Sequence, residues 1–223
     1  MFVEENEEPY PELIAQFRDD ESRTGVGTSP QPVPLQERDR VRALIEEGYE
    51  FLHGYHKGYA ATVDELVVLV LIGTGNRVVN ASVSGQIGTI FINPQPGWMA
   101  LDYADALLHE AIHEAQYLDQ MIQSWYSQPS DDPSDPDALV ISPIRRVPRP
   151  ISRTLQAATV AVPLVDLLWT AGARERATEM CRVLVDSLNG IKAREHRLSR
   201  RGSEVLEDLA GILRDSPAFA AMA

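Results

Sequence analysis

The chain has 223 residues, of which 44% are hydrophobic and 24% are charged, and its formal net charge is −13. This composition is typical of a globular protein large enough to bury a core. The acidic balance argues against nucleic-acid binding, which needs a basic face. One cysteine, Cys181, excludes an internal disulfide. With no signal-peptide pattern and no apolar run of membrane-spanning length, these features predict a cytoplasmic protein without a membrane partner.

The first part of the chain predicts two regions of different character. Residues 1–34 are acidic and rich in proline, so we expect a segment that is partly disordered or wraps the rest. Residues 35–223 are expected to form a single domain. Its first helix is predicted over residues 35–52 from apolar side chains at helical spacing. Thr62 and Glu65 match a capping box, which predicts a second helix running through the apolar stretch to Leu71.

The middle and end of the chain predict a small sheet and several helices. Two short strands are expected at residues 77–83 and 88–93, and a loop without periodic pattern at 128–150. Pro163 is expected to kink or interrupt its helix. Helices are predicted over residues 102–126, 151–170, 174–197 and 203–214. The expected fold class is therefore α+β: mostly helical, with a small β-sheet packed beside the long helix of residues 102–126.

That long helix carries the sequence His109-Glu110-Ala111-Ile112-His113 between apolar flanks. Residues four apart lie on one face of a helix, so His109 and His113 can direct their imidazoles at one metal ion. Glu110 follows the first histidine, where it can act as a general base or orient a ligand. Two histidines on a helix surface would give the same pattern without a metal, but the apolar flanks indicate a buried helix.

A metal site of this kind usually needs a third protein ligand from elsewhere in the chain. Asp119 follows too far round the helix and is expected to be a solvated carboxylate. Glu175 and Glu179 lie in a charged stretch and are expected to face solvent. Asp166 interrupts an apolar run, so it is either a ligand or a helix-face carboxylate paired with an arginine.

Two further segments extend the pattern beyond the histidine motif. Residues 142–150 read SPIRRVPRP, and the next segment contains Leu155 and Gln156. With the HExxH motif and the strand pair ending in residues 82–92, this arrangement resembles the HExxH-type, 2-oxoglutarate-dependent peptide β-hydroxylases. The similarity covers roughly residues 35–197. Ile144 stands where that family tends to have tryptophan, and the short chain leaves little room for an accessory peptide-recognition domain.

The resemblance implies an Fe(II) oxygenase that uses 2-oxoglutarate and O₂ to hydroxylate an amino-acid residue. His109 and His113 would hold the iron, with Gln156 either as a neutral third ligand or as a hydrogen-bond donor beside the metal. Arg149, and after it Arg145, would bind the distal carboxylate of 2-oxoglutarate. Ser84 and Ser82 would support the co-substrate or a peptide backbone. The substrate would be a peptide, a carrier-bound amino acid or a free one.

Two other functions fit the same motif. In a zinc metallopeptidase, Glu110 would activate a zinc-bound water, and a carboxylate such as Asp166 or Glu175 would complete the site. In a binding or immunity-like protein, the metal site would be vestigial or structural. The sequence predicts metal binding in each case, and the arginine-proline segment favours the oxygenase.

Overall fold

The computed structural model describes residues 31–74, 80–127 and 135–222. The chain divides into two compact units, Met1–Ala115 and Gln116–Ala223, called here the N-terminal and the C-terminal unit. Seven α-helices and two small sheets occur in the described residues, which confirms the mostly helical α+β fold. The prediction of a single domain over residues 35–223 stays a prediction. The expected disordered or wrapping segment lies mainly outside the described residues.

The N-terminal unit contains a four-stranded sheet. Its helices and strands are β1 (Gln31–Pro32), α1 (Leu35–Tyr55), α2 (Lys57–Leu66), β2 (Leu69–Thr74), β3 (Asn80–Ser82), β4 (Thr89–Ile92) and α3 (Ala100–Ile122), of which residues 116–122 belong to the C-terminal unit. The strand order is β1-β2-β4-β3, with β2 and β4 parallel and the other pairs antiparallel. The hairpin of β3 and β4 confirms the predicted strand pair, although residues 75–79 lie outside the described part.

Gly48 brings α1 and α3 together. A Cβ atom at this glycine would lie 2.8 Å from the carbonyl oxygen of Ala100 and 2.8 Å from the amide nitrogen of Ala104. Real Cβ atoms do not approach backbone atoms this closely, so the two helices can meet here only because residue 48 has no side chain. This contact fixes the first turn of α3, the helix that carries both histidines of the motif.

The predicted helix from Thr62 to Leu71 is wrong at both ends. The helix α2 begins at Lys57, where the Nδ1 atom of His56 accepts a hydrogen bond from the amide of Tyr59. Thr62 lies inside the helix and donates to the carbonyl of Gly58. The apolar residues after Leu66 form the strand β2, whose register places Val70 opposite Ile90 of β4. Short runs of buried valine and leucine fit a parallel strand as well as a helix, and pairing with β4 decides between them.

The C-terminal unit is built around a buried helix. Its elements are β5 (Leu139–Ile141), β6 (Pro148–Pro150), α4 (Ile151–Thr170), α5 (Arg174–Lys192), α6 (Arg200–Asp215) and α7 (Pro217–Ala220), with short 3₁₀ turns at Pro136–Ala138 and Glu195–Arg197. The helix α4 buries most of its side chains, and α5 packs along it. Cys181 of α5 is fully buried, as expected of a small core residue.

Three predictions for this unit need correction. The segment predicted as a loop contains the antiparallel strands β5 and β6, with Val140 opposite Arg149. Of the kink or interruption expected at Pro163, the interruption does not occur, because α4 runs from Ile151 to Thr170. The predicted helix over 102–126 ends at Ile122, and Tyr126 instead forms a β-bridge with Leu198. Side-chain packing and backbone pairing within the unit override the local propensity in each case.

One helix of the described residues, α4, is long and apolar enough to cross a membrane. Within its apolar window, 72% of the residues are buried inside the protein. That burial is typical of a core helix. The finding is compatible with a soluble protein.

Candidate metal centre

The two histidines of the motif lie on one face of α3. Their ring centroids are 5.0 Å apart with an interplanar angle of 62°, and both side chains are half-buried. The helical spacing expected from the sequence is therefore realised in the N-terminal unit. Two imidazoles so close on a partly exposed face can each present a ring nitrogen to one metal ion.

The next face of the same helix carries two buried carboxyl groups, Glu110 and Glu114. Glu110 is 3% exposed and Glu114 is fully buried. The hydroxyl of Ser82 in β3 donates to Oε2 of Glu110 at 2.8 Å, and the amide of Gly88 donates to Oε2 of Glu114 at 2.9 Å. The two glutamates thus attach α3 to the sheet, while the histidines occupy the adjacent face.

Burial controls the charge state of these glutamates in the metal-free protein. It raises the pKa of Glu110 to about 8, against the opposing effect of the Ser82 hydrogen bond and with further raising by the neighbouring Glu114. Burial also raises the pKa of Glu114, although the hydrogen bond from Gly88 acts in the other direction. Desolvation penalises a carboxylate more than a neutral carboxyl group, so burial shifts both residues towards the protonated form relative to an exposed glutamate.

Glu114 was missed by the sequence analysis. It stands four residues after Glu110, the same spacing that relates the two histidines, and its apolar neighbours could have indicated burial. Its Oε1 atom has no hydrogen-bond partner in the described residues. An unsatisfied buried oxygen lowers the stability of the folded protein by about 1–3 kcal/mol when the group is neutral. The carboxyl group of Glu114 therefore destabilises the fold locally.

The carboxylates considered as third ligands all lie in the C-terminal unit. Within the described residues, no group of three or more His, Cys, Asp or Glu side chains could hold a metal ion. Glu175 is exposed, as expected, but Glu179 pairs with Arg146 and Arg182. Asp166 is half-buried on α4.

Asp119 is not the solvated carboxylate that was expected. Its two oxygens accept hydrogen bonds from the guanidinium of Arg201 at 3.0 and 3.1 Å, and Oδ2 also accepts one from the indole nitrogen of Trp125. These donors hold the pKa of Asp119 below its usual range, with the Arg201 hydrogen bond as the largest cause. A carboxylate engaged in this way is a structural group of the C-terminal unit.

The other residues predicted for the site, Gln156, Ser84 and Ser82, lie in different environments. Gln156 is half-buried on α4, and its backbone carbonyl accepts a hydrogen bond from the side-chain amide of Gln116 at 3.0 Å. Ser84 is exposed in the turn after β3, and the neighbouring Ser82 is engaged with Glu110. The strand serines therefore include one structural donor that fastens the helix to the sheet.

Three arginines of the C-terminal unit form a basic group around the start of α4. Arg145 lies in the turn before β6, Arg149 in β6, and Arg153 in the first turn of α4. Burial lowers the pKa of Arg149, and the charges of Arg145 and Arg153 lower it further. None of the three guanidinium groups has an ion pair within the described residues. The first turn of α4 has no acidic residue, and its N-cap, Pro150, makes no side-chain cap.

This basic group, Arg145, Arg149 and Arg153, has no internal counter-charge in the part of the chain that the structure describes. Arg145 and Arg153 are exposed, so water screens part of the repulsion among the three guanidinium groups, and a bound anion would offset the rest. Arginine binds carboxylate or phosphate with two parallel hydrogen bonds, and the uncapped helix start adds amide donors. The arrangement can therefore hold a small anion, and Arg153 is a member that the sequence analysis did not identify.

The two histidines of α3 can fill two coordination positions of a metal ion. His109 and His113 supply imidazole nitrogens on one face, which suits iron(II) as well as zinc. The third ligand of His, Cys, Asp or Glu type that a closed zinc site would have is not grouped with them in the described residues.

No protein-family model matches the chain, and no curated protein matches its sequence.

Proposed function

We propose that this protein is an Fe(II)- and 2-oxoglutarate-dependent oxygenase that hydroxylates an amino-acid residue in a peptide or natural-product precursor. The observation that carries the proposal is the pair His109 and His113, half-exposed on one face of α3 with ring centroids 5.0 Å apart. When two histidines bind a metal without a full set of carboxylate ligands, coordination positions on that metal stay open for a chelating co-substrate and O₂. The resemblance to HExxH-type peptide β-hydroxylases points to the same reaction.

The basic group of the C-terminal unit supports the choice of co-substrate. 2-Oxoglutarate carries two carboxylates, and one of them needs a cationic partner away from the metal. Arg149 is the first candidate because it is half-buried, and Arg145 and Arg153 lie close enough to act on its charge. Their roles are to bind and orient the distal carboxylate by bidentate hydrogen bonds.

In this proposal each residue of α3 has a defined task. Iron, when bound, supplies the activation of O₂ that is coupled to conversion of 2-oxoglutarate into succinate and carbon dioxide. His109 and His113 hold the metal. Glu110 is buried and accepts a hydrogen bond from Ser82. This hydrogen bond holds the helical turn that carries His109 against β3, so Glu110 is a positioning residue. Gln156 is the proposed neutral third ligand. The proposal includes a reducing cytoplasm as the setting, in keeping with the one buried thiol.

The zinc metallopeptidase is the alternative that the motif itself suggests. It needs a carboxylate to complete the zinc site, and Asp166 and Glu175 of the C-terminal unit are the candidates. It also needs Glu110 to reach a metal-bound water as a base. In the metal-free protein that side chain is buried and accepts a hydrogen bond from Ser82. This burial of Glu110 favours the oxygenase.

Anaerobic titration with Fe(II), followed by 2-oxoglutarate, tests the proposal. We expect each addition to raise the thermal unfolding temperature, because a ligand that binds only the folded state stabilises it. On admission of O₂ the protein should form succinate from 2-oxoglutarate. His109→Ala should abolish both the stabilisation by iron and succinate formation. Arg149→Gln should retain the response to iron and lose most of the response to 2-oxoglutarate.

The matched control is His196→Ala, since His196 is an exposed histidine of the C-terminal unit. It should behave like the unmodified protein in every step. Succinate formation that survives in His109→Ala would overturn the oxygenase. Peptide cleavage that requires Zn(II) and disappears in Glu110→Gln would favour the metallopeptidase instead.

A further inference from the structure

The N-terminal unit contains a cavity that the proposed reaction does not use. It has a volume of about 340 Å³, within the range of small-molecule sites. Its lining residues come from α1, α2, the start of β2 and α3; they are Ile45, Glu46, Tyr49, Val63, Asp64, Val67, Val70 and Leu107. Leu107 and His109 are two residues apart on a helix, so they lie about 160° apart around its axis. The cavity and the histidine pair therefore belong to different faces of α3.

The inner wall of this cavity is apolar. Ile45, Val63, Val70 and Leu107 are buried, and Val67 is half-buried at the end of α2. An apolar group placed among them loses contact with water, which contributes about 25 cal/mol for each Å² that is removed. The wall thus favours a small hydrocarbon or aromatic body.

The mouth of the cavity is acidic. Glu46 and Asp64 are exposed, and neither a lysine nor an arginine is among the lining residues. Glu46 forms no ion pair within the described residues. Asp64 accepts hydrogen bonds from the hydroxyl of Tyr49 at 2.5 Å and from the Nε2 atom of His53 at 3.3 Å, both on Oδ1. Its second oxygen has no partner in the described part of the chain.

Tyr49 and Asp64 are held in place at this mouth. The Tyr49 ring packs against the ring of His53 with centroids 4.5 Å apart, and the two side chains meet the same carboxylate oxygen. Tyr49 also lines the cavity, so its side chain is in a position to contact an incoming group. A cation near an aromatic face gains about 0.5–2 kcal/mol, in addition to its attraction to the carboxylates.

We propose that this cavity binds a small organic monocation of the alkyl- or arylammonium class, with the apolar body against the valines and the ammonium at Asp64 and Glu46. Charge complementarity selects the class: an anion would be repelled by the two carboxylates, and a neutral molecule would leave the charge of Glu46 without a counter-charge. The size of the cavity suits a phenylethyl group. Binding at this site does not require the metal at α3.

Calorimetric titration with phenethylammonium tests the proposal, with 2-phenylethanol as the neutral analogue and phenylacetate as the anion. The three probes have nearly the same body, so their difference reports the charge. We expect phenethylammonium to bind at least about 5-fold more tightly than 2-phenylethanol, with a preference that declines as salt is added, and phenylacetate not to bind. Equal binding of the three probes, or preference for the anion, would overturn the proposal.

Charge variants locate the site without disturbing the fold. Asp64→Asn and Glu46→Gln should each lower the preference for the cation by about 3-fold or more, because each removes one carboxylate of the mouth. Glu47→Gln is the matched control, since Glu47 is exposed on the same helix but does not line the cavity. Val67→Phe should fill the apolar wall and abolish binding of both phenylethyl probes. An unchanged preference in Asp64→Asn and Glu46→Gln would contradict the assignment even if Val67→Phe failed to fold.

Discussion

At the scale of single residues, the hydrogen bond between Ser82 and Glu110 couples the sheet to the metal-binding helix. The two residues are 28 positions apart in sequence, and the hydroxyl donates to a carboxyl group that is 3% exposed. A buried carboxyl group without a donor is costly, because it has already lost its contacts with water. Ser82 is therefore a stability determinant, although its position in a short strand gives no indication of that role.

We predict that Ser82→Ala lowers the free energy of unfolding by about 1–3 kcal/mol, since Glu110 would keep its burial and lose its donor. Urea denaturation followed by circular dichroism measures the change. Ser84→Ala is the matched control: Ser84 is exposed two residues further on and should change stability by less than about 0.5 kcal/mol. If the two variants were equally stable, the Ser82 hydroxyl would not support Glu110.

The residues of the motif could be predicted from the sequence, and their surroundings could not. The spacing of His109 and His113 fixes their common face once the helix is recognised. The partners of Glu110 and Asp119 depend on which strand or helix arrives from elsewhere in each unit. Nothing near Asp119 in the sequence indicates that Arg201, 82 positions later, will reach it.

At the scale of secondary-structure elements, the errors of sequence reasoning occur where local and long-range preferences disagree. The bounds predicted for α1, α4 and α6 lie within three residues of those observed because their apolar periodicity is long, whereas α5 ends at Lys192, five residues before its predicted end. The strand β2 was assigned to a helix because its apolar run follows a capping pattern directly. The strands β5 and β6 have only three residues each, and β6 contains two prolines, so they show no alternation that could be recognised.

The turn after α3 shows how closely two elements of the C-terminal unit can approach. A Cβ atom on Gly202 in α6 would lie 2.0 Å from the carbonyl oxygen of Trp125. That carbonyl accepts a hydrogen bond from the amide of Ser199, the N-cap of α6. The backbone of residue 125 therefore rests directly on the first turn of the helix, and only glycine fits at position 202.

We predict that Gly202→Ala destabilises the protein by about 1–3 kcal/mol, because the added methyl group must displace backbone atoms. Gly211→Ala in the same helix is the control: no atom lies within 4 Å of its Cβ position. That variant should be neutral or more stable by up to about 1 kcal/mol, through the higher helix propensity of alanine. Urea unfolding curves of the two variants give the comparison, and equal effects would refute the close contact.

At the scale of the whole molecule, the single thiol reports on the integrity of the C-terminal unit. Cys181 is fully buried between α5 and its neighbours, and burial raises the pKa of the thiol. A buried thiol cannot be alkylated until the structure around it opens, and the raised pKa suppresses the reactive thiolate as well. The rate of alkylation is thus set by opening of the core.

We predict that iodoacetamide modifies Cys181 at least about 100-fold more slowly in the folded protein than an exposed cysteine, as measured by mass spectrometry. The comparison protein carries Asp186→Cys together with Cys181→Ala, which moves the thiol to an exposed position on the same helix. In urea the two proteins should react at similar rates. Rapid alkylation of Cys181 without denaturant would show that this core opens readily.

The basic group of Arg145, Arg149 and Arg153 also has a kinetic consequence. The chain as a whole has a net charge of −13, so a small anion approaching from a distance is repelled by most of the molecule. A local positive potential at the start of α4 redirects such an anion during its final approach. Dissolved salt screens the repulsion and the attraction together. The association rate constant for an anionic ligand should therefore depend only weakly on ionic strength, whereas the time the ligand stays bound should shorten as salt is added.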